Sequence, residues 1–398
     1  MLAPICAEAR NAGLSLYLVG GPVRDLLLEK PVKDLDLVVE GDAQTLASTL
    51  AARLEGRLVA RSQFGTAALR LGKQSLDLVT ARRETYPRPG ALPQVTPSSI
   101  EDDLARRDFT INAMALPLTG PAKGGLLDPH GGRADLSAGV IRVLHHASFI
   151  DDPTRVLRAL RYEQRLGYRL DEATERRLME ALDTGAMDTL SGDRLRKELS
   201  AVLREAEPHR ALRRCAELAV LTAIHPAMGN DSAVAALAGS GEAFSPLEYL
   251  AALSFPSSKE QGMSLVHRLR MPATWKKVVE DTAAVRLDVA PNIAGGPDYT
   301  RSALYLVLEP YAPEALRVNA IMAEDPAVGR ALKSYLDDMR YVKPLLKGGD
   351  LVSIGFPQGP LVGDALRELQ SARLDGLVTT RDDEIKTAEG YLASRRAG

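Results

Sequence analysis

Two aspartates separated by one leucine, Asp34 and Asp36, follow a glycine pair, Gly20-Gly21, in the N-terminal part of this chain. On a β-strand, residues i and i+2 point to the same face. The two carboxylates would then project side by side while Leu35, Leu37 and Val39 face a core. Adjacent carboxylates disfavour joint ionisation unless a cation lies between them, and Mg²⁺ takes one or two carboxylates together with phosphate oxygens and water. Taken alone, an Asp-x-Asp is more often a solvated strand face. The glycine pair ends an apolar run, Leu14–Gly20, and is followed by Pro22, a residue suited to the first turn of a helix. A helix over Pro22–Glu29 would aim its free N–H groups, with Arg24 close by, at an anion above Gly20 and Gly21. Taken alone, this is more often an ordinary strand–turn–helix; it is neither a GxGxxG fingerprint nor a P-loop. A phosphate-gripping turn and a carboxylate pair joined by one helix form the layout of a metal-assisted nucleotidyl-transfer site. Asp77, on the later apolar segment Leu76–Thr80, would join the pair if the strands are neighbours; otherwise it is a polar residue at a strand start.

The elements that must position these residues fall into two kinds. Residues 1–145 read as mixed α/β. Strands are expected at Leu14–Gly20, Leu35–Val39, Ala67–Leu71 and Leu76–Thr80. A helix is expected over Asp42–Leu54, where Leu46, Leu50 and Leu54 recur every fourth residue. Arg83–Ser99 holds four of the 24 prolines and reads as a loop. Beyond Asp151, helical periodicity takes over: Pro153–Leu166, Glu172–Leu182, Asp193–Glu205 and Pro208–Leu218. Less regular helical segments follow at Pro246–Leu253, Met263–Leu269, Thr274–Val289, Ser302–Leu308, Pro313–Glu324 and Gly363–Leu374. The expected fold class is α+β: a small N-terminal head with a mixed β-sheet and helices, followed by an all-helical remainder.

The 398 residues carry a net charge of −2, so a polyanion site must be a local patch. Two distant cysteines and six scattered histidines give no zinc-ligand spacing, and no zinc is expected. No apolar run is long enough to span a membrane and no leader pattern opens the chain, so a cytoplasmic protein with no membrane partner is expected.

Further motifs follow in order. Thr80-Ala81-Arg82-Arg83-Glu84 comes after the Asp77 segment. Arg106-Arg107-Asp108-Phe109-Thr110-Ile111-Asn112-Ala113 offers forked donors suited to phosphate, though alone it reads as an arginine-rich helix start with an Asp cap. Asp128-Pro129-His130-Gly131-Gly132 leads to Ile141-Arg142. Asp151-Asp152-Pro153-Thr154-Arg155-Val156-Leu157-Arg158-Ala159 continues to Arg161-Tyr162, and Asp193-Arg194 runs on to Glu198. Asp152 and Arg155, three apart on one helix face, would ordinarily be a surface ion pair. Together with the opening Gly20-Gly21-x-Val23-Arg24-Asp25 and Asp34-x-Asp36, this ordered set resembles the class II tRNA nucleotidyltransferase (CCA-adding enzyme) and bacterial poly(A) polymerase family, within the polymerase β superfamily.

The resemblance implies a nucleotidyltransferase head (1–145), a nucleotide-selecting neck (146–225), an RNA-binding body (226–310) and a tRNA-binding tail (311–398). It implies two Mg²⁺ ions on the catalytic Asp34 and Asp36, and triphosphate binding by Gly20, Gly21, Arg24 and Arg82. Arg107, Asp108 and Asn112 would hold ribose and nucleotide. Asp151, Asp152, Arg155, Arg158 and Arg161 would select the base; Asp151 stands where the family often has Glu. Asp77, Glu84, Arg194 and Glu198 would support the site. The implied substrates are CTP, ATP and the 3′ acceptor end of tRNA, extended by CCA or part of it with release of pyrophosphate. CC-only addition, A-only addition and poly(A) synthesis share these motifs. A non-catalytic RNA-binding protein is a further reading that the intact acidic and basic motifs disfavour. A Rossmann-like metabolic enzyme is disfavoured because the glycine turn lacks dinucleotide spacing. The tail, with Gly349-Asp350-Leu351 and Gly359-Pro360, also resembles the family, and Gly359–Gly363 either opens a phosphate-gripping helix or is an ordinary helix joint.

Overall fold

The computed structural model describes residues 2–32, 35–61, 65–72, 74–120, 123–296 and 299–397. Asp34 lies outside the described residues. The chain divides into two compact units, 1–224 and 225–398.

In the first unit, helix α1 (Leu2–Asn11) leads to strand β1 (Ser15–Val19), helix α2 (Gly21–Leu27) and strand β2 (Leu35–Glu40). Helix α3 (Ala43–Arg53) is started by Asp42, whose carboxylate accepts from the Gln44 and Thr45 amides. Strands β3 (Arg57–Arg61), β4 (Thr66–Leu71) and β5 (Gln74–Thr80) follow. After β6 (Arg82–Thr85) and β7 (Gln94–Pro97) come α4 (Ile100–Ala105) and β8 (Ala115–Pro117). Six strands form one sheet in the order β3-β4-β5-β2-β1-β8. Only β2 and β5 run parallel in it; the other neighbours are antiparallel.

Both faces of this sheet are covered. Leu16, Leu18, Leu37, Val39 and Leu78 are buried on one face. Tyr17, Val19, Val38 and Val79 pack on the other with Ile100 and Leu104 of α4. The expectation of a strand with one core face and one solvated face is therefore corrected: Val38, two residues from Asp36 on the same face, is 1% exposed. Asp36 stands at the rim of a covered face.

Several strands depart from the reading of the sequence, among them the edge strand β8 and the β6–β7 ribbon. Arg83–Ser99 is not simply a loop, because β6 and β7 pair as an antiparallel ribbon from Arg82↔Pro97 to Thr85↔Gln94. Its prolines occupy the connecting tip and the last position of β7, where no ladder N–H is required. Strand β3 was not expected; it is an edge strand with a register shift between Leu58 and Ala60, which blurs the alternation that marks a strand.

The rest of the first unit is helical apart from a short pair, Val140–Ile141 with Arg169–Leu170. Helix α5 (Gly132–Ala138) is followed by α6 (Ser148–Asp151), α7 (Thr154–Leu166), α8 (Glu172–Asp183) and α9 (Gly192–Leu203), then α10 (Pro208–Glu217). Val156, Leu157, Ala159 and Leu160 of α7 are fully buried, as are Leu195 and Leu199 of α9 and Leu212 of α10. Arg142 ties this layer back to the head segment. Its Nε bonds Asp135 and its Nη1 bonds Asp171, while Asp135 also accepts the Thr110 hydroxyl.

The second unit is entirely helical among its described residues. Expected segments appear as Pro246–Ser254, Lys259–Arg268, Arg301–Leu308, Pro313–Met322 and Pro360–Leu374. The helix Ala273–Ala284 continues through a π-helical turn, Val285–Val289. One core gathers Val285, Leu304, Leu308, Leu316 and Leu332, and a second gathers Leu346, Leu351, Phe356, Leu369 and Leu392.

Candidate active site

The sheet end is shaped first by backbone. Gly20 has φ +68° and ψ −128°, outside the range of ordinary residues. Its N–H donates to the Met114 carbonyl at 3.1 Å and its carbonyl accepts the Arg24 amide at 3.0 Å. A methyl group at Gly20 would stand 2.6 Å from Arg107 Nη1. The glycine is thus required by its torsion, and any side chain there would displace the end of Arg107 lying over it. Leu18 pairs with Leu37 in antiparallel register, so the next step sets Val19 beside Asp36. Asp36 pairs with Asp77 across the parallel β2–β5 ladder. In-register neighbours share a face, with strands about 4.8 Å apart. The two carboxylates and the Gly20 turn therefore share one end of the sheet.

These are hard oxygen donors of the kind Mg²⁺ takes, and their shared face fits such an ion. Among the described residues no cluster of three or more His, Cys, Asp or Glu is placed to hold a metal. Asp36 and Asp77 are the part of the donor set that can be located.

The arginine-rich octapeptide follows α4, whose N-terminus is capped by Ser99 accepting from the Asp102 amide. Asp103 is completely buried and receives two consecutive arginines: Arg106 through Nε at 3.0 Å and Nη2 at 2.6 Å, and Arg107 through Nη2 at 3.0 Å. Arg106 also reaches Glu84 at 2.9 Å. Glu84 further accepts from Arg82 and from the Tyr86 hydroxyl, so the ribbon is pinned to the octapeptide.

Asp108 is buried and accepts Arg158 Nε at 3.0 Å, Asn112 Nδ2 at 3.1 Å and the Phe109 amide at 2.9 Å. Burial pushes its carboxyl pKa up, but the Arg158 charge and these hydrogen bonds outweigh that and bring it down to about 2. Asn112 Oδ1 in turn accepts Arg24 Nη1 at 2.8 Å. A continuous chain, Arg24–Asn112–Asp108–Arg158, joins α2 to α7.

Helix α7 and its approach supply the opposite wall. Asp152 accepts the Thr154 amide at 3.1 Å and Arg194 Nη2 at 2.7 Å. Arg194 Nη1 holds the Gly90 carbonyl in the ribbon tip at 2.7 Å. Arg155 is 4% exposed and donates to the Ser148 hydroxyl at 2.6 Å and the Arg106 carbonyl at 2.8 Å. Asp152 and Arg155 are therefore not an ion pair with each other; each is fixed by other groups. Between these walls lies a cavity of roughly 490 Å³. Six cationic side chains line it (Arg106, Arg107, Arg155, Arg158, Arg194 and Lys197), against four carboxylates (Glu84, Asp108, Asp152 and Glu198). A locally positive, polar cavity of this size in a chain of net charge −2 suits a nucleoside triphosphate.

Residues 16–142 match the family model described as "Poly A polymerase head domain". The chain is 36% identical over 97% of its length to the A-adding tRNA nucleotidyltransferase of Geobacter sulfurreducens, of which it spans 47%. It is 34% identical over 98% of its length to the A-adding tRNA nucleotidyltransferase of Halalkalibacterium halodurans, of which it spans 92%. The chain belongs to the tRNA nucleotidyltransferase family. The fold agrees: a solved CCA-adding enzyme in an apo form superposes with a TM-score of 0.79 at 31% identity, covering 98% of this chain and 94% of that one.

Within this tRNA nucleotidyltransferase, the expected site residues separate. Glu84, Arg107, Asp108, Asp152, Arg155, Arg158, Arg194 and Glu198 line the cavity. Gly20, Asp36 and Asp77 stand at the sheet end, and Asn112 is buried behind Asp108. Arg24 is 5% exposed, held by Asn112 and its neighbour Asp25, and does not line the cavity. Arg82 is engaged by Glu84 and also lies off the cavity. Arg161 turns away from the cavity, pairs with Glu205 at 3.2 Å and lines a different pocket with Arg165. Asp151 stands 4.0 Å from His145 Nδ1, again off the cavity. Asp103, Tyr86, Thr154 and Lys197 were missed. The i, i+3 and i, i+4 spacing from Asp103 to Arg106 and Arg107 was the available signal for the first; for Tyr86 and Lys197 nothing in the sequence marked a role.

Proposed function

We propose that this nucleotidyltransferase extends the 3′ end of tRNA without a nucleic-acid template, with the terminal A as the nucleotide it adds. The observation carrying this reading is the placement of Arg107: it lines the cavity and lies over Gly20, at the sheet end that carries the in-register Asp36 and Asp77. A triphosphate spanning from cavity to sheet end would put its base among α7 and α9 and its phosphates beside the carboxylates.

The RNA 3′-hydroxyl attacks the α-phosphate, the new phosphodiester forms, and pyrophosphate leaves. Arg107 holds phosphate oxygens, and the Gly20 turn lets the backbone approach them closely. Asp108 accepts from a ribose hydroxyl at the cavity wall, and Asn112, buried behind it, holds its carboxylate in place. Asp152 and Arg194, fixed to each other, present an acceptor and donors to the base edge, while Arg155 stiffens the wall behind them. Asp36 and Asp77, with Asp34 outside the described residues, would hold Mg²⁺, which when bound activates the attacking hydroxyl and neutralises the leaving oxygens. Arg24 then serves by fixing Asn112 rather than by touching phosphate.

The reading of residues 1–145 as head, 146–225 as neck, 226–310 as body and 311–398 as tail follows from this proposal, the helical segments meeting tRNA through backbone and shape. A cytoplasmic setting accords with two buried free thiols, Cys6 and Cys215. The A-adding reading is supported by the names of the two relatives; full CCA addition is supported by the CCA-adding enzyme fold. Purified protein would be offered tRNAs ending before the first C, after the first C, and after CC, with CTP and ATP separately and together. A single A added only to the CC-ended tRNA is expected. Cytidine incorporation would establish a broader specificity, a ladder of A residues would indicate poly(A) synthesis, and no incorporation on any tRNA would refute the proposal.

A further inference from the structure

We propose that Asp103 is a positioning residue for nucleotide binding and acts through Arg107; this rests on the nucleotidyltransferase reading above. Asp103 does not line the cavity and is completely buried, so it touches no substrate. Its two oxygens are divided between consecutive arginines, Oδ1 to Arg106 and Oδ2 to Arg107. Two adjacent guanidinium groups repel and would diverge. A carboxylate three and four residues earlier draws both back onto the end of the helix.

The two arginines then differ in what remains. Arg106 has a second carboxylate, Glu84, and is committed to the ribbon. Among the described residues, Arg107 is tethered by Nη2 alone. Its Nη1 lies over Gly20, and its Nε is buried without a hydrogen-bond partner. Buried donors are rarely left unpaired in a native fold. Here one sits on a cation that lines the cavity, next to the turn that would approach a triphosphate. Nη1, over Gly20 and unengaged among the described residues, is the donor offered to an arriving phosphate oxygen, and a small shift of the guanidinium would bring the unpaired Nε within its reach. The single tether from Asp103 keeps Arg107 over Gly20 without consuming the donors needed for that oxygen. A second carboxylate partner, as Arg106 has, would have blocked it.

The test is a double-mutant cycle read by ATP binding, KM and kcat, with melting temperature alongside. Asp103→Asn is expected to weaken ATP binding by about tenfold, with kcat within about threefold, because an amide cannot accept from both arginines. In an Arg107→Ala background the same change should add less than about twofold. Equal losses in both backgrounds would mean that Asp103 acts on the fold and not through Arg107. Should Asp103→Asn fail to fold, Asp103→Glu keeps the charge and displaces it by one methylene. It is expected to weaken ATP binding in wild type and again be nearly silent with Arg107→Ala; a loss in both would overturn the inference. Failure of the wild type to bind ATP would count against the nucleotidyltransferase reading itself.

Discussion

At the end of the sheet, position comes from backbone. Asp36 and Asp77 are neighbours because two parallel strands are in register, and the Gly20 turn is set by a torsion that glycine tolerates. Around α7, position comes from side chains: Arg158, Asp108, Asn112 and Arg24 fix one another across three separate elements. The first arrangement sets where the groups stand by strand register and torsion. The second makes the same charges part of what holds the fold together. Removing a sheet-end carboxylate is expected to cost activity more than stability, whereas changing the Gly20 torsion or the chain of polar groups is expected to cost both.

The largest effect is expected from Asp36→Ala. Incorporation of labelled ATP into CC-ended tRNA should fall by about 10³-fold or more, the several kcal/mol that carboxylate-held metal ions supply to such transfers. The substitution lies at the rim of the sheet, so the melting temperature should stay within the small range of surface changes, about 0.5 kcal/mol. Activity near the wild-type level would break the comparison at its foundation. Gly20→Ala comes next. The torsion costs about 1–3 kcal/mol in an ordinary residue, and the added methyl displaces Arg107. A loss of about 10²-fold in kcat/KM with a lowered melting temperature is expected. Unchanged ATP binding would show that Arg107 does not depend on the turn.

The same contrast separates what could be read in the sequence from what could not. The alternation of Leu35–Val39 and Leu76–Thr80 marked two strands but left open whether they are neighbours; the parallel pairing of β2 with β5, about 40 residues apart, is what sets Asp77 beside Asp36. Six helical segments of the second half were foreseen where apolar spacing repeats over several turns, but Ser232–Gly239, Pro326–Asp337, Gly348–Ile354 and Arg381–Ala397 were not. The roles given to arginines were harder, since a guanidinium is claimed by whichever carboxylate or amide the fold delivers. Arg24 is held by Asn112, 88 residues away, and Arg161 by Glu205, 44 residues on. Helix geometry carried one unused clue: Arg161 lies about 120° around α7 from Arg155, at the far edge of the face that Arg155 and Arg158 present to the cavity. The ribbon of β6 and β7 was hidden by its prolines, which read as a loop although they fall at the tip and the strand end. Asp103 was hidden among ordinary helix-start acids, and only its complete burial sets it apart.

Asp108→Asn tests the polar chain. Losing charged hydrogen bonds to Arg158 should cost about 1.5–3 kcal/mol at neutral pH, together with weaker nucleotide binding. The sign of the pH dependence follows from the depressed carboxyl. Its stabilising contribution is present above the ordinary value of 3.8 and is lost as pH falls towards about 2. The melting temperatures of wild type and Asp108→Asn should therefore converge over that window and stay apart above it. A constant difference down to pH 2 would mean that the Asp108 charge contributes nothing to the fold.

The smallest effect is expected at Lys197, an exposed cation lining the same cavity with no hydrogen bond or ion pair recorded to another described residue. Held by no network and set by no register, it belongs to neither class of position. Lys197→Ala should raise the KM for ATP by about two- to fivefold, the effect of one solvated charge acting on a polyanion, and leave the melting temperature unchanged. Because the charge is exposed, the difference should shrink as ionic strength rises and the screening length falls from about 10 Å at 0.1 M salt to about 3 Å at 1 M. A salt-independent increase would instead mean a desolvated contact with the nucleotide, and would move Lys197 into the same class as Arg158.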